Sequence, residues 1–114
     1  MILEAELPGD ARAAFLARGL VAGFRCGLTV PQLADAMQAV SELVANAYRN
    51  GEGPITLRLE SPDGGLLAYV GDAANGFHPS ANGDIGLQVV QATTDDWGVE
   101  DGCAWFEIGV SPGS

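Results

Sequence analysis

Two oxygen-bearing side chains, Glu42 and Asn46, lie four residues apart in a stretch with helical periodicity. Residues at this spacing lie one above the other on an α-helix, so the carboxylate and the carboxamide can address the same ligand or the same hydrated cation. Gln38 and Arg49 extend this polar face in either direction. The spacing fits a solvated helix face equally well, so the surrounding elements must distinguish a binding site from a solvated surface.

The other side of this stretch is apolar. Residues of this kind recur at spacings of three and four, at Leu33, Met37, Val40, Val44 and Ala47. That pattern predicts a side that faces a core. Thr29 and Gln32 have the spacing of a capping box, and Pro31 falls in the first turn, where its missing N–H costs little. The helix is therefore predicted to begin at about Thr29 and to run to about Asn50, where the helix-breaking residues 51–54 follow.

The next segment predicts a β-hairpin. Apolar and polar residues alternate from Ile55 to Glu60, and the Ser-Pro-Asp-Gly-Gly turn at 61–65 leads into a second strand that ends at Asp72. Every second residue from Leu66 to Val70 is apolar, and the period of two puts Asp72 on that same face. A carboxylate carried towards a buried side requires a partner. Asp72 is therefore a candidate binding residue.

Three further elements complete the predicted architecture. Asp10 is predicted to cap a first helix that ends at Gly27, and a third helix is expected after the Gly-Asp-Ile-Gly segment at 83–86. The positive end of that third helix would suit an anion. Residues 96–110 predict a closing hairpin around the Asp-Gly turn at 101–102. Strand and helix runs are segregated, which predicts one α+β domain over 1–114: a two-layer sandwich with a mostly antiparallel sheet and three helices on one face.

Composition limits the partners and the compartment. Fifteen acidic residues against five arginines give a net charge of −10, which disfavours nucleic acid and anionic membranes as partners. No apolar run approaches the roughly 18 residues that a membrane-spanning helix needs, and the first residues lack the layout of a signal peptide. A cytoplasmic location is therefore expected. Cys26 and Cys103 form no paired motif and are predicted to be small buried residues.

The aromatic residues of the closing hairpin have two interpretations. Trp97, Trp105 and Phe106 are predicted to fill the interface between the sheet and the helices. A tryptophan that is exposed instead would indicate a surface for a protein partner.

The order of these features resembles the GHKL (Bergerat-fold) ATP-binding domain shared by gyrase, the Hsp90 chaperones, histidine kinases and MutL. The most similar branch is that of the bacterial anti-sigma factor serine kinases. Its helix pattern, Ser-Glu-Leu-x-x-Asn-Ala-x-x-His-Gly, reads Ser-Glu-Leu-Val-Ala-Asn-Ala-Tyr-Arg-Asn-Gly at 41–51, and the closing segments 96–99 and 105–108 are also similar. The resemblance covers nearly the whole chain and implies the histidine kinase-like ATPase fold.

This resemblance implies ATP and Mg²⁺ as cofactors. It implies that Asn46 ligates the Mg²⁺ that bridges the phosphates, and that Glu42 is the base on the attacking hydroxyl. Asp72, which opens the family's Asp-x-Gly-x-Gly loop, would accept a hydrogen bond from the adenine amino group. The remaining implied nucleotide-binding positions are Arg49, Asn50, Gly76, Gly83 and Gly86.

Three positions depart from the pattern of the branch. Asn50 stands where the branch has His, Ala74 replaces the first glycine of the loop, and Asp84 puts a carboxylate at the entrance of the second glycine box. Segment 77–82 carries no Lys or Arg, although phosphoryl transfer depends on cations around the developing charge.

Three functions follow from these observations. The first is an ATP- and Mg²⁺-binding regulatory domain of the anti-sigma factor type, a serine/threonine protein kinase that acts in partner switching on a sigma factor or its antagonist. The second is a non-catalytic protein-binding module with a degraded nucleotide site. The third is a detached histidine kinase catalytic domain. Whether the chain forms a homodimer is left open.

Overall fold

Eight helices and strands lie in the part of the chain that the computed structural model describes, which comprises residues 1–50, 54–62, 64–72, 85–100 and 103–110, without the side chains of Asn50, Asp72 and 85–87. In chain order they are β1 (Ile2–Leu7), α1 (Arg12–Gly23), α2 (Val30–Asn50), β2 (Ile55–Glu60), β3 (Leu66–Asp72), α3 (Ile85–Thr93), β4 (Asp96–Glu100) and β5 (Cys103–Ile108). The predicted bounds of α2, β2 and β3 are confirmed.

The five strands form one sheet in the order β1-β2-β3-β5-β4, and all four pairings are antiparallel. Both predicted hairpins, β2 with β3 and β4 with β5, are present. The pairing of β3 with β5 joins the two hairpins, and β1 adds an edge strand beside β2. The antiparallel sheet predicted from the sequence is thus confirmed.

One face of this sheet is buried against the helices. Alternate residues of the three central strands are almost completely inaccessible: Ile55, Leu57, Leu59, Leu66, Ala68, Val70, Ala104, Phe106 and Ile108. Helix α2 packs on β2, β3 and β5, α1 packs on β1 and β2, and α3 packs on α2 and β4. The fold is therefore an α+β two-layer sandwich, as the sequence predicted.

Helix α2 begins with the predicted capping box. The Thr29 N–H donates to Gln32 Oε1 at 2.9 Å, and the Gln32 N–H donates to Thr29 Oγ1 at 3.2 Å. The two bonds use backbone N–H groups that the first turn of a helix leaves without intrahelical partners.

The buried side of α2 is broader than the sequence predicted. Leu33 and Met37 are only partly buried, whereas Ala36, Ala39 and Leu43 are completely buried. The physical reason is that α2 is the central helix, which contacts α1 and α3 as well as the sheet. A single apolar stripe is expected for a helix that packs against one layer only.

Helix α1 differs from its prediction at both ends. Its N-cap residue is Ala11 rather than Asp10, although Asp10 Oδ1 accepts the Arg12 N–H at 2.9 Å. The helix ends at Gly23 rather than Gly27, because Phe24 turns into an extended conformation and packs into the core. Leu16, an apolar residue of this helix, is 43% exposed.

The cysteine and aromatic predictions are mostly correct. Cys26 is buried and Cys103 is half-buried, both are free thiols, and burial raises the pKa of both. Phe106 is completely buried and Trp97 packs against the core. The prediction for Trp105 is wrong, since this residue alternates with the core residues of β5 and so projects from the other face of the sheet.

No helix within the described residues is long and apolar enough to cross a membrane.

Candidate functional site

The residues that the sequence singled out on α2 and on β3 lie at the same end of the molecule. Helix α2 ends at Asn50, and β2 begins five residues later at Ile55. Such a connection spans at most about 18 Å. Ile55 is the direct partner of Asp72 in the β2–β3 pairing, and paired strands are only about 4.8 Å apart. The end of α2 therefore lies within about 23 Å of the end of β3, and the two elements pack against each other.

Asn46 is the one buried polar residue among those the structure describes, with 1% of its surface exposed. The alternative of a solvated helix face is thus wrong for this residue. At 100° per residue, Asn46 lies only about 20° around the helix from Ala39, which is completely buried. Asn46 belongs to the edge of the broad buried side of α2, one turn before the helix ends. Contact with solvent therefore does not account for a polar side chain at this position.

Glu42 occupies the boundary between the buried and exposed sides of the same helix. Its side chain is half-buried, while Gln38 and Arg49 are exposed. Glu42 and Asn46 are one turn apart and differ by about 40° around the helix axis. The pair therefore presents one half-buried carboxylate and one buried carboxamide on adjacent turns, which matches the spacing predicted for a shared ligand.

An amide oxygen such as that of Asn46 is a ligand type that Mg²⁺ can accept in proteins. The described residues contain no group of three or more His, Cys, Asp or Glu side chains that could hold a metal ion. Mg²⁺ commonly takes one or two protein oxygens and completes its shell with water and phosphate oxygens. The negative end of the α2 dipole also favours a cation near the last turn of the helix.

Positive charge near these residues is sparse. The sequence contains five arginines and no lysine. Arg12 and Arg18 lie on α1, Arg25 lies in the connection to α2, and Arg58 lies on β2. Arg49, in the last turn of α2, is thus the one cation on the helix that carries Glu42 and Asn46. A phosphate bound at this end of the molecule would rely on Arg49, backbone N–H groups and a metal ion.

The remaining predicted positions are only partly described. Asp72 is the last residue of β3 and Asn50 is the last residue of α2, but their side chains lie outside the described part of the chain. Gly76 and Gly83, together with the departures Ala74 and Asp84, also fall outside it. Gly86 is the second residue of α3. This helix packs against α2, so the predicted anion-binding helix contacts the helix that carries Asn46.

One pairing of aromatic residues was not predicted from the sequence. Tyr69 and Trp105 are direct partners in the β3–β5 register. Each alternates with the core residues of its own strand and so projects from the opposite face of the sheet. This alternation was the sequence signal that could have revealed the pairing.

Comparisons with known proteins add no family assignment: no protein-family model matches this chain, and no curated protein matches it significantly. The resemblance to GHKL domains therefore rests on the motif residues and the order of elements in the sequence.

Proposed function

We propose that this chain is an ATP- and Mg²⁺-binding regulatory domain similar to the anti-sigma factor kinases, acting in the cytoplasm in partner switching on a sigma factor or its antagonist. The observation that carries the proposal is the burial of Asn46 on the central helix, which packs on the strand that terminates in Asp72. The α+β sandwich supports it, because the resemblance implies this arrangement of layers.

The proposed roles follow the positions of the residues. Asn46 would supply one oxygen to Mg²⁺, which neutralises phosphate charge when bound. Glu42, one turn earlier and half-buried, would accept the proton of a serine hydroxyl on the partner protein. Asp72 would accept a hydrogen bond from the adenine amino group and so select ATP over GTP.

A non-catalytic protein-binding module is the second candidate, and the distribution of charge favours it. Arg49 is the one cation on α2, and the sequence places no Lys or Arg between 73 and 84. Phosphoryl transfer usually employs several cations around the transferred group. In this second function the same scaffold acts only through protein contacts.

Calorimetric titration with ATP in the presence of Mg²⁺ or of a chelator tests nucleotide binding. The informative variants are Asn46→Ala and, as a matched control, Gln38→Ala, which removes an exposed carboxamide from the same helix. We expect Asn46→Ala to abolish the Mg²⁺-dependent part of the affinity and Gln38→Ala to preserve it. Thermal melts without nucleotide establish that both variants fold.

GTP serves as the selectivity control in the same titration. If Asp72 faces the base, a guanine carbonyl opposite its carboxylate would leave two acceptors unpaired, at about 1–3 kcal/mol. We therefore expect GTP to bind at least about fivefold more weakly than ATP. Equal affinities for ATP and GTP would show that Asp72 does not contact the base.

Transfer of radiolabelled phosphate from ATP to the serine of a candidate antagonist separates the two functions. Glu42→Gln is expected to lower the rate by about 10²–10⁴ with ATP affinity retained. Asp35→Asn, an exposed acidic position two turns earlier on the same side of α2, should leave the rate unchanged. A wild-type chain that binds its protein partner but shows no Mg²⁺-dependent ATP affinity would contradict the kinase and support the binding module.

A further inference from the structure

The sheet has a second face, opposite to the one that the helices cover. We call it the outer sheet face: the side of the strands that carries Glu4, Arg58, Tyr69 and Trp105. These four residues are successive partners across β1, β2, β3 and β5, and Gly98 of β4 continues the same row. Side chains paired in this way project from the same side of a sheet. The row therefore crosses the full width of the sheet.

Aromatic rings occupy the centre of this face. Trp105 lies between Tyr69 and Gly98, and its indole rests against Gly98, where an added Cβ would lie 3.0 Å from Trp105 Nε1. Among the described residues this indole N–H has no hydrogen-bond partner. Burial and the nearby Glu60 carboxylate raise the pKa of Tyr69, so its phenol stays neutral at physiological pH. The centre is thus aromatic and uncharged.

Carboxylates surround this aromatic centre. Six acidic residues alternate onto the outer sheet face: Glu4, Glu6, Glu60, Asp96, Glu100 and Glu107. Among the described residues Arg58 is the one cation on the face, and it already has two of them as partners, with Nη1 3.3 Å from Glu4 Oε1 and Nε 2.8 Å from Glu60 Oε2. The other four carboxylates have no cation on this face. Its charge is strongly negative.

Between β1 and β5 the same face contains a depression of about 490 Å³. It is lined by Glu4, Thr56, Arg58, Glu60, Tyr69 and Cys103. Both carboxylates that pair with Arg58 are at its edge, and Tyr69 contributes an aromatic wall. A long cationic side chain could enter this depression and meet both kinds of group.

We infer that the outer sheet face binds an arginine-bearing segment of a protein partner. A guanidinium group stacks on aromatic rings and forms paired hydrogen bonds with carboxylates, and this face offers both. Complementary charge also steers such a segment to the surface. A second copy of this chain would bring the same excess of carboxylates to the interface and be repelled. The inference does not depend on nucleotide binding, since α2 lies on the other side of the sheet.

Titration of the ¹⁵N-labelled chain with a hexa-arginine peptide tests the inference, with the two tryptophan indole N–H signals as reporters. Trp105 lies on the outer sheet face and Trp97 packs against the core. We expect the Trp105 signal to shift and the Trp97 signal to stay. Hexalysine should bind several-fold more weakly, because an ammonium group cannot stack or bond in a planar, paired manner. A stationary Trp105 signal, or equal affinity for the two peptides, would overturn the inference.

A matched pair of variants separates a specific site from general attraction to an acidic protein. Glu107→Gln removes one carboxylate from the outer sheet face, and Asp35→Asn removes one from an exposed position on α2. We expect Glu107→Gln to weaken hexa-arginine binding about two- to fivefold and Asp35→Asn to have no measurable effect. Equal losses in the two variants would mean that net charge alone binds the peptide, and the inference would be wrong.

Discussion

Replacement of Gly65 by alanine should be among the most damaging single changes in this chain. Gly65 lies in the turn between β2 and β3, is buried, and has a φ of 75°. Its N–H donates to the Cys26 carbonyl oxygen at 2.8 Å. A Cβ atom added here would lie 2.4 Å from the Gly109 carbonyl carbon and 2.5 Å from the Val110 nitrogen. These are backbone atoms, so no side-chain rotation can relieve the overlap.

The expected loss has two parts. A left-handed conformation costs a non-glycine residue about 1–2 kcal/mol, and forcing an extra carbon into a packed interior costs about 1–3 kcal/mol. Together they give about 2–5 kcal/mol, a large share of the 5–15 kcal/mol by which domains are commonly stable. Gly64 provides the control, because its φ is 87° but nothing lies within 4 Å of the added Cβ. Gly64→Ala should therefore lose only the conformational part.

Urea unfolding followed by tryptophan fluorescence measures both variants. We expect Gly64→Ala to lower the free energy of unfolding by about 1–2 kcal/mol and Gly65→Ala to lower it by about 1–3 kcal/mol more, with an unchanged dependence on urea concentration. Similar losses in the two variants would refute the reasoning, because they would mean that the β2–β3 turn does not pack against the end of β5.

Two further predictions concern the start of α2 and the alkaline limit of stability. Thr29→Ala should cost about 0.5–2 kcal/mol in urea unfolding, because it removes the oxygen that accepts the Gln32 N–H. Thr29→Ser, which keeps that oxygen, should cost much less, and equal losses would argue against the cap. Burial raises the pKa of the Cys26 and Cys103 thiols above the ordinary value of 9.0. The unfolded chain then loses these protons first as the pH rises, so the free energy of unfolding should be level below about pH 9 and fall above it. Under reducing conditions the double variant Cys26→Ala/Cys103→Ala should show a shallower fall, and an unchanged slope would exclude the thiols as its cause.

Local signals in the sequence were sufficient to predict the two hairpins and the ends of α2. The alternation from Ile55 to Glu60 and the capping box at Thr29 depend on neighbouring residues only, and the structure has both. The turn at 61–65 likewise fixed which two strands would pair. Such features need no knowledge of distant contacts.

Features that depend on distant contacts were missed. Phe24 ends α1 early because it packs into the core, and Asn46 is buried because α2 has neighbours on three sides. Trp105 was expected at the interface between the sheet and the helices, although its phase in β5 is opposite to that of Phe106. For Phe24 and Asn46 the tertiary arrangement overrode a local preference, whereas the alternation along β5 already indicated the position of Trp105.

The burial of Asn46 bears directly on the candidate site. Its neighbours Leu43 and Ala47 are buried apolar residues of the same helix, and an apolar residue at position 46 would also suit a buried helix surface. A carboxamide is stable there only when its N–H and C=O groups are paired, a requirement that leucine does not have. Apolar packing alone therefore does not favour asparagine at this position. Sites where a residue conflicts with simple packing are commonly functional, and this one lies at the end of the molecule where β3 ends in Asp72. The conflict is what distinguishes Asn46 from the exposed Gln38, and it makes the comparison of those two carboxamides the most direct test of the nucleotide site.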